Sequence, residues 1–310
     1  MLKPLAARHA EACYGFLTAN GLRDVFLASK IHEGALSVPD GAAQGRFLGA
    51  FEGECLEGVM FLGNGGLLVF ASDLPHVRRR FAEYAWKERA RVRLVVGEWG
   101  QVSDLWGHLS ASGLESTRDW REVFMVATPA SLALEGERRL RLAEPRELHA
   151  LSDLAARAYE EETGFDPFAA MGEGYLRHVA RNVSEGSSYV LAEGGRLVFK
   201  ADLSARCPIG AQIVGVFTEP DRRGEGIARR GVAELARRLT DPRIAGAGAV
   251  PAVCLFVRED NLAARRAYER AGFVPTMHYR RLFVAPVTSR GRTDGSAAES
   301  GASRAGRASS

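Results

Sequence analysis

The 310 residues contain no apolar run long enough to span a bilayer, and the segment Met1-Leu2-Lys3-Pro4-Leu5-Ala6-Ala7-Arg8 lacks the sustained apolar stretch of an export signal. A cytoplasmic protein with no membrane partner is the expectation. Cysteine is scarce: Cys13, Cys55, Cys207 and Cys254 stand apart, with neither C-x-x-C nor Cys/His ligand spacing. That pattern argues against a disulfide framework and a metal site, and the cysteines are read as buried free thiols. An excess of one charge is missing too. The formal net charge is +3, and residues 286–310 carry Arg290, Arg292, Arg304 and Arg307 against Asp294 and Glu299. The remainder is nearly neutral, which gives no support to a nucleic-acid partner.

With 46% apolar and 25% charged residues, the composition is that of globular material, and the length allows two domains. A linker at 129–138, through Thr128-Pro129-Ala130-Ser131 and Leu134-Glu135-Gly136-Glu137, separates a module at 1–128 from a second at 139–285. A Ser/Gly/Ala-rich tail at 286–310, without apolar periodicity, is expected to be disordered. In the second module Pro145 opens a helix striped by Leu148, Leu151, Ala155 and Ala158. A hairpin follows, Tyr189 to Ala192 and Leu197 to Lys200, turning at Gly194-Gly195.

Two spaced signatures carry chemistry. In the first, the apolar run Ile213 to Phe217 leads through Glu219-Pro220-Asp221 into Arg223-Gly224-Glu225-Gly226-Ile227-Ala228. This reads as strand, turn and helix, with a glycine-bared backbone and unpaired helix N–H groups suited to a pyrophosphate. It is neither G-x-G-x-x-G nor followed by Lys-Ser/Thr, which argues against Rossmann and P-loop chemistry. A plain tight turn would look the same. In the second, Val253 to Val257 reads as a strand and is followed by Asn261-Leu262-Ala263-Ala264-Arg265-Arg266-Ala267-Tyr268-Glu269-Arg270-Ala271-Gly272-Phe273. Here Ala264, Ala267, Tyr268 and Ala271 share one helical face, so Tyr268 taken alone is a core aromatic.

In this order and spacing, the two signatures resemble the acetyl-CoA-binding half of the GNAT superfamily of N-acyltransferases, whose pattern N-x-x-A-x-x-x-Y-x-x-x-G-F is matched at every fixed position. The resemblance implies an α/β fold of two GNAT-like modules, each a mixed, mainly antiparallel sheet flanked by helices. Residues 1–128 read as a degenerate copy. A helix at Ala10 to Asn20 precedes strands at Phe47 to Phe51, Gly58 to Leu62 and Leu67 to Phe70, but the chain then runs Ser72-Asp73-Leu74-Pro75 where the glycine turn belongs. The later helix, Val102 to Gly113, has no matching Asn or Tyr. An unrelated α/β domain is the alternative.

The resemblance further implies acetyl-CoA as co-substrate and no metal. Val216, Phe217 and Thr218 would pair with the pantetheine arm. The amides of Arg223, Gly224, Glu225, Gly226, Ile227 and Ala228 would hold the pyrophosphate, and Asn261 would touch the cofactor from the next helix. Tyr268 would protonate the departing thiolate, since a phenol of pKa about 10 is protonated at neutral pH. Many family members place a glutamate base on the strand before the turn, but Ala211-Gln212-Ile213-Val214 offers none. Glu161 and Glu162, in the acidic run after the first helix, are the candidates for that base, and a solvated charge run is the competing reading. His178 is the other titratable group nearby. Three functions follow: an N-acetyltransferase for an amine of a small molecule or peptide, a protein lysine or N-terminal acetyltransferase, or a non-catalytic acetyl-CoA-binding regulator. Acceptor and oligomeric state are not written in the sequence.

Overall fold

The computed structural model describes residues 1–38, 44–133 and 135–286. All of the expected tail but Pro286, and Leu134 of the expected linker, therefore lie outside the described residues. The first module contains β1 (Leu2–Pro4), α1 (Ala10–Thr18), α2 (Val25–His32), β2 (Gly45–Glu52), β3 (Cys55–Gly63), β4 (Leu67–Ala71), α3 (Pro75–Lys87), β5 (Leu94–Glu98), α4 (Trp99–Ala111) and β6 (Ser116–Ala127). The second contains β7 (Arg141–Leu142), α5 (Leu148–Thr163), α6 (Pro167–Met171), α7 (Glu173–Ser184), β8 (Ser188–Glu193), β9 (Arg196–Cys207), β10 (Gly210–Thr218), α8 (Ile227–Thr240), α9 (Pro242–Ala245), β11 (Val253–Arg258), α10 (Leu262–Ala271) and β12 (Val274–Val284).

These strands join in one 12-stranded sheet of order β1-β2-β3-β4-β5-β12-β6-β11-β10-β9-β8-β7. Only β4/β5 and β10/β11 pair in parallel, so the sheet is mixed and mainly antiparallel. The order shows an exchange: β12, from the end of the second module, lies between β5 and β6, while β6, from the end of the first, lies between β11 and β12. The run Val123-Phe124-Met125-Val126-Ala127 explains why β6 can occupy the centre. Val123, Met125 and Ala127 enter the core beneath α8 and α10, whereas Phe124 and Val126 pack on the opposite face with residues of α1 and α2. A strand covered on both faces reads as a continuous apolar run rather than an alternating one.

The first module repeats the parallel-strand geometry without the cofactor turn. Its β4 and β5 pair only at Leu67, Leu68 and Val69. Beyond them, Gln101 Nε2 donates to Asp73 at 3.0 Å, Gln101 Oε1 accepts from the Ser72 N–H at 3.3 Å, and Arg78 Nη1 donates to the Ser72 carbonyl at 3.1 Å. The segment Ser72 to Pro75 is thus bonded to the module's own side chains. Helix α4 starts at Trp99, three residues before the expected Val102, because Glu98 accepts from the Gly100 and Gln101 amides and caps it. One thiol departs from expectation: Cys13, Cys207 and Cys254 are buried, but Cys55 is exposed where β3 leaves its hairpin turn. Among the described residues, no helix is long and apolar enough to cross a membrane and no cluster of three His, Cys, Asp or Glu side chains could hold a metal ion.

The exchange places Leu282 and Val284 of β12 in the first module's core, beside Phe81, Val95 and Trp106. Leu282 is fully buried. Leu282→Ala is expected to cost about 3 kcal/mol. All four tryptophans, at 86, 99, 106 and 120, lie in the first module, so their fluorescence in a urea titration should report the loss although the substitution is in the last strand. An unchanged tryptophan midpoint would contradict the exchange.

Candidate functional site

The site begins where β10 and β11 part. The two strands pair only at Ala211, Gln212 and Ile213, which leaves the β11-facing edge of Val214 to Thr218 without a strand partner. On its other edge β10 carries a bulge: Val214 pairs with Asp202 and Phe217 with Lys200, so Gly215 and Val216 together stand opposite Ala201 alone. Gly215 has φ +57°, and a Cβ there would stand 2.9 Å from the Lys200 ammonium. That ammonium pins the bulge. Lys200 is buried, and its Nζ donates to the Gly215 carbonyl at 2.9 Å and to Asp202 at 2.6 Å. The other Asp202 oxygen accepts from Ser188 Oγ at 2.7 Å.

The turn after β10 is built on a second ion pair, between buried Glu219 and half-exposed Arg157. Glu219 accepts from both terminal nitrogens of Arg157, on α5, at 2.7 Å each, and this holds its carboxyl below the usual range despite burial. Pro220 then starts a short turn, and Gly224 and Gly226 both take left-handed conformations, φ +82° and +74°, which favour glycine. Arg230 is the first helical N–H bonded back into the turn, to Gly226; those of Gly224, Glu225, Gly226, Ile227, Ala228 and Arg229 have no backbone acceptor among the described residues. A helix N-terminus preceded by bare glycine backbone and free N–H groups fits an anion such as a diphosphate. The side chains beside it are committed elsewhere. Arg222 binds Glu225 and Glu193, while Arg223 donates to the Thr218 carbonyl and to Glu161 and lies over the Phe217 ring.

A cleft of about 720 Å³ runs from this gap beneath α5, α6 and α7 and is lined by Val216, Phe217, Asn261 and Tyr268 among others. Its size is that of a small-ligand pocket. Thr218 Oγ1 is buried without a hydrogen-bond partner. Asn261 Oδ1 accepts from the Ala264 amide at 3.1 Å, so this residue is the N-cap of α10 as well as a wall of the cleft. Tyr268 is 7% exposed, and burial, with the carboxylate of Glu162 nearby, pushes its phenol well above the ordinary range. The hydroxyl therefore keeps its proton at neutral pH.

The two glutamates singled out in the sequence diverge. Glu161 is held at 2.7 Å by Arg223, whereas Glu162 makes no hydrogen bond or ion pair with a described residue. His178, on α7, also lines the cleft, and burial lowers its pKa and favours the neutral ring. Sequence reasoning missed Glu122, Arg281, Lys200 and Asp202. Glu122 of β6 is 2% exposed and pairs with Arg281 of β12, Nε to Oε1 at 3.0 Å, and both residues line the cleft. Their only local signal is a charge within each strand-like run, at the start of Val123 to Ala127 and just before Leu282-Phe283-Val284; what joins them is register.

Residues 148–273 match the acetyltransferase (GNAT) family. A 65-residue segment is 42% identical to the mycothiol acetyltransferase of Mycobacterium leprae, which is 20% of this chain and 19% of that protein. Among solved structures, a GNAT-family acetyltransferase from Colwellia psychrerythraea aligns with a TM-score of 0.53 at 14% identity, over 92% of this chain and 99% of that one. A tandem GNAT protein from the clavulanic acid biosynthesis pathway aligns with a TM-score of 0.54 at 14% identity, over 92% and 98%. Such identities establish the fold and not the substrate. Parted parallel strands, a two-glycine turn at a helix N-terminus and the family match over the same segment agree: residues 148–273 form a domain that matches the GNAT acetyltransferase family, and the whole chain shares the fold of a tandem GNAT protein.

Proposed function

We propose that the protein transfers acetyl from acetyl-CoA to a primary amine of a small molecule or peptide by direct attack, with both substrates in the second module's cleft. The observation that carries this is a cleft that runs to Tyr268 along the unpartnered edge of β10, from Val214 to Phe217, on the strand that leads into the turn with free amides. In this reading the amides of Gly224 to Ala228 bind the diphosphate, with Arg223, whose N–H bonds the Pro220 carbonyl, setting the entry to the turn. The Val216 to Thr218 backbone pairs with the pantetheine arm, and its N–H groups stabilise charge growing on the thioester oxygen. Asn261 caps α10 and so fixes the helix that carries Tyr268. When the C–S bond breaks, Tyr268 donates its proton to the leaving sulfur.

Helices α5 to α7 roof the acceptor end, where Pro167, Met171, Tyr175 and His178 line the cleft. That roof favours a small acceptor over the side chain of a folded protein. Kinship with a mycothiol acetyltransferase spans too little of either chain to name the acceptor. Release of free CoA from acetyl-CoA in the presence of putrescine, tyramine, glucosamine or a glycyl peptide tests turnover.

Two substitutions separate binding from chemistry. Gly226→Asp sets a carboxylate where the diphosphate charge would lie, and aspartate is one of the few residues that tolerates a left-handed φ. Like charges in contact cost several kcal/mol, so acetyl-CoA affinity measured by calorimetry should fall by about 100-fold or more with little change in melting temperature. Unchanged affinity in the folded variant would remove the turn from the cofactor site. Tyr268→Phe keeps the ring against Phe273 and deletes only the hydroxyl. Turnover should drop by about 10² to 10⁴-fold while acetyl-CoA affinity holds; full turnover with chemistry rate-limiting would leave Tyr268 a packing residue.

A further inference from the structure

We propose that Glu122 takes the proton from the acceptor amine, so that the first module, which has no cofactor turn of its own, supplies a catalytic group to the cleft of the second; this rests on the N-acetyltransferase reading. The placement follows from strand register. Glu122 sits opposite Arg258 on β11 and Tyr279 on β12, on the face of β6 that also carries Phe124 and away from the core beneath α8 and α10. The strand exchange thus sets a first-module carboxylate in the floor of the second module's cleft.

The carboxylate is incompletely satisfied. Oε1 faces Arg281 at 3.0 Å, but Oε2 is buried and has no hydrogen-bond partner. A buried carboxylate oxygen left unpaired is costly, and an N–H donor from a ligand removes that cost. Charge in the cleft points the same way. Lys200 is paired with Asp202, Arg258 with Asp260, and Arg223 with Glu161. What remains is Arg281 against two carboxylates, Glu122 and Glu162, an excess of one negative charge that suits an amine arriving as its cation.

Of the two, Glu162 is exposed at the end of α5 and solvated, whereas Glu122 is enclosed. Burial raises the Glu122 pKa against the opposing pull of Arg281 and Arg258, with Glu162 adding to the rise. That shift brings the group toward neutrality, where a base is most effective. The step balances. The ammonium gives one proton to Glu122 Oε2, and the neutral nitrogen then forms the C–N bond. As the C–S bond breaks the sulfur takes the Tyr268 proton, the acylated nitrogen returns its second proton to the Tyr268 oxygen through cleft water, and Glu122 releases its proton to solvent, which restores both groups.

The test compares Glu122→Gln and Glu122→Asp with wild type, using acetyl-CoA and whichever amine of the panel above is acetylated fastest. The charged groups facing position 122 are Arg281 from β12, Arg258 from β11 and Glu162 from α5. Wild-type kcat/KM should rise with pH as the Glu122 carboxyl loses its proton. In Glu122→Gln that limb should vanish and kcat at pH 7 should fall about 100-fold, with acetyl-CoA affinity unchanged and Glu122→Asp intermediate. Hydroxylamine, already neutral at pH 7, should be acetylated by Glu122→Gln at close to the wild-type rate. An unchanged pH profile, or equal losses with hydroxylamine and the amine, would make Glu122 a structural partner of Arg281 and overturn the proposal. A wild-type protein that binds acetyl-CoA yet acetylates no amine would end the N-acetyltransferase reading and this one with it, whereas a defect confined to the Glu122 variants bears on Glu122 alone.

Discussion

The backbone pairing of β6 with β12, from Ser116 to Val126 on one strand and Val274 to Val284 on the other, is the constraint on which the rest of the molecule depends. Each module ends in the strand that the other lacks, so neither core is complete from its own sequence segment. Leu282 and Val284 fill the first core, while Val123, Met125 and Ala127 fill the second. Burying one such side chain is worth about 1.5–3 kcal/mol, comparable to a sizeable part of a domain's net stability. Exchange of this kind makes the two modules one folding problem. It also explains how a module without a cofactor turn remains necessary to the other.

Ion pairs with at least one buried partner then set the geometry of the cleft. Lys200 with Asp202 holds the bulge at Gly215, Arg157 with Glu219 fixes the start of the turn, and Arg281 with Glu122 lies in the floor. Such pairs add little net stability because desolvation offsets attraction, and removing one partner strands a buried charge. Their effect here is positional. Each ties separate elements together: α5 to the β10 turn, β9 to its neighbour's bulge, the last strand of one module to the last strand of the other. The cleft is thus pinned by these pairs on its strand side and roofed by α5, α6 and α7.

Much of the second module was legible because its signals are local. A strand run, two glycines and a helix from Ile227 are separated by a few residues, and the Asn261 to Phe273 pattern lies within one helix and its cap. The hairpin through Gly194-Gly195 and the strands of the first module were readable for the same reason. Helix starts were less so, as at Trp99, where a glutamate cap rather than the apolar stripe decides the boundary. The Arg222 and Arg223 guanidinium groups stand beside the turn in the sequence, and only the folded chain shows them bonded to Glu193, Glu225, Glu161 and the Thr218 carbonyl.

The sequence by itself determined the fold family, the two-module plan and the turn that fits an anion, since those rest on short-range periodicity and on backbone freedom at particular glycines. It could not determine which module finishes which core, or which acid lies in the floor of the cleft. Glu122 and Arg281 are 159 positions apart, and nothing in either segment specifies the partner. Only the register of two long central strands, fixed by apolar packing on both faces, brings that carboxylate beside that guanidinium in the floor of the cleft.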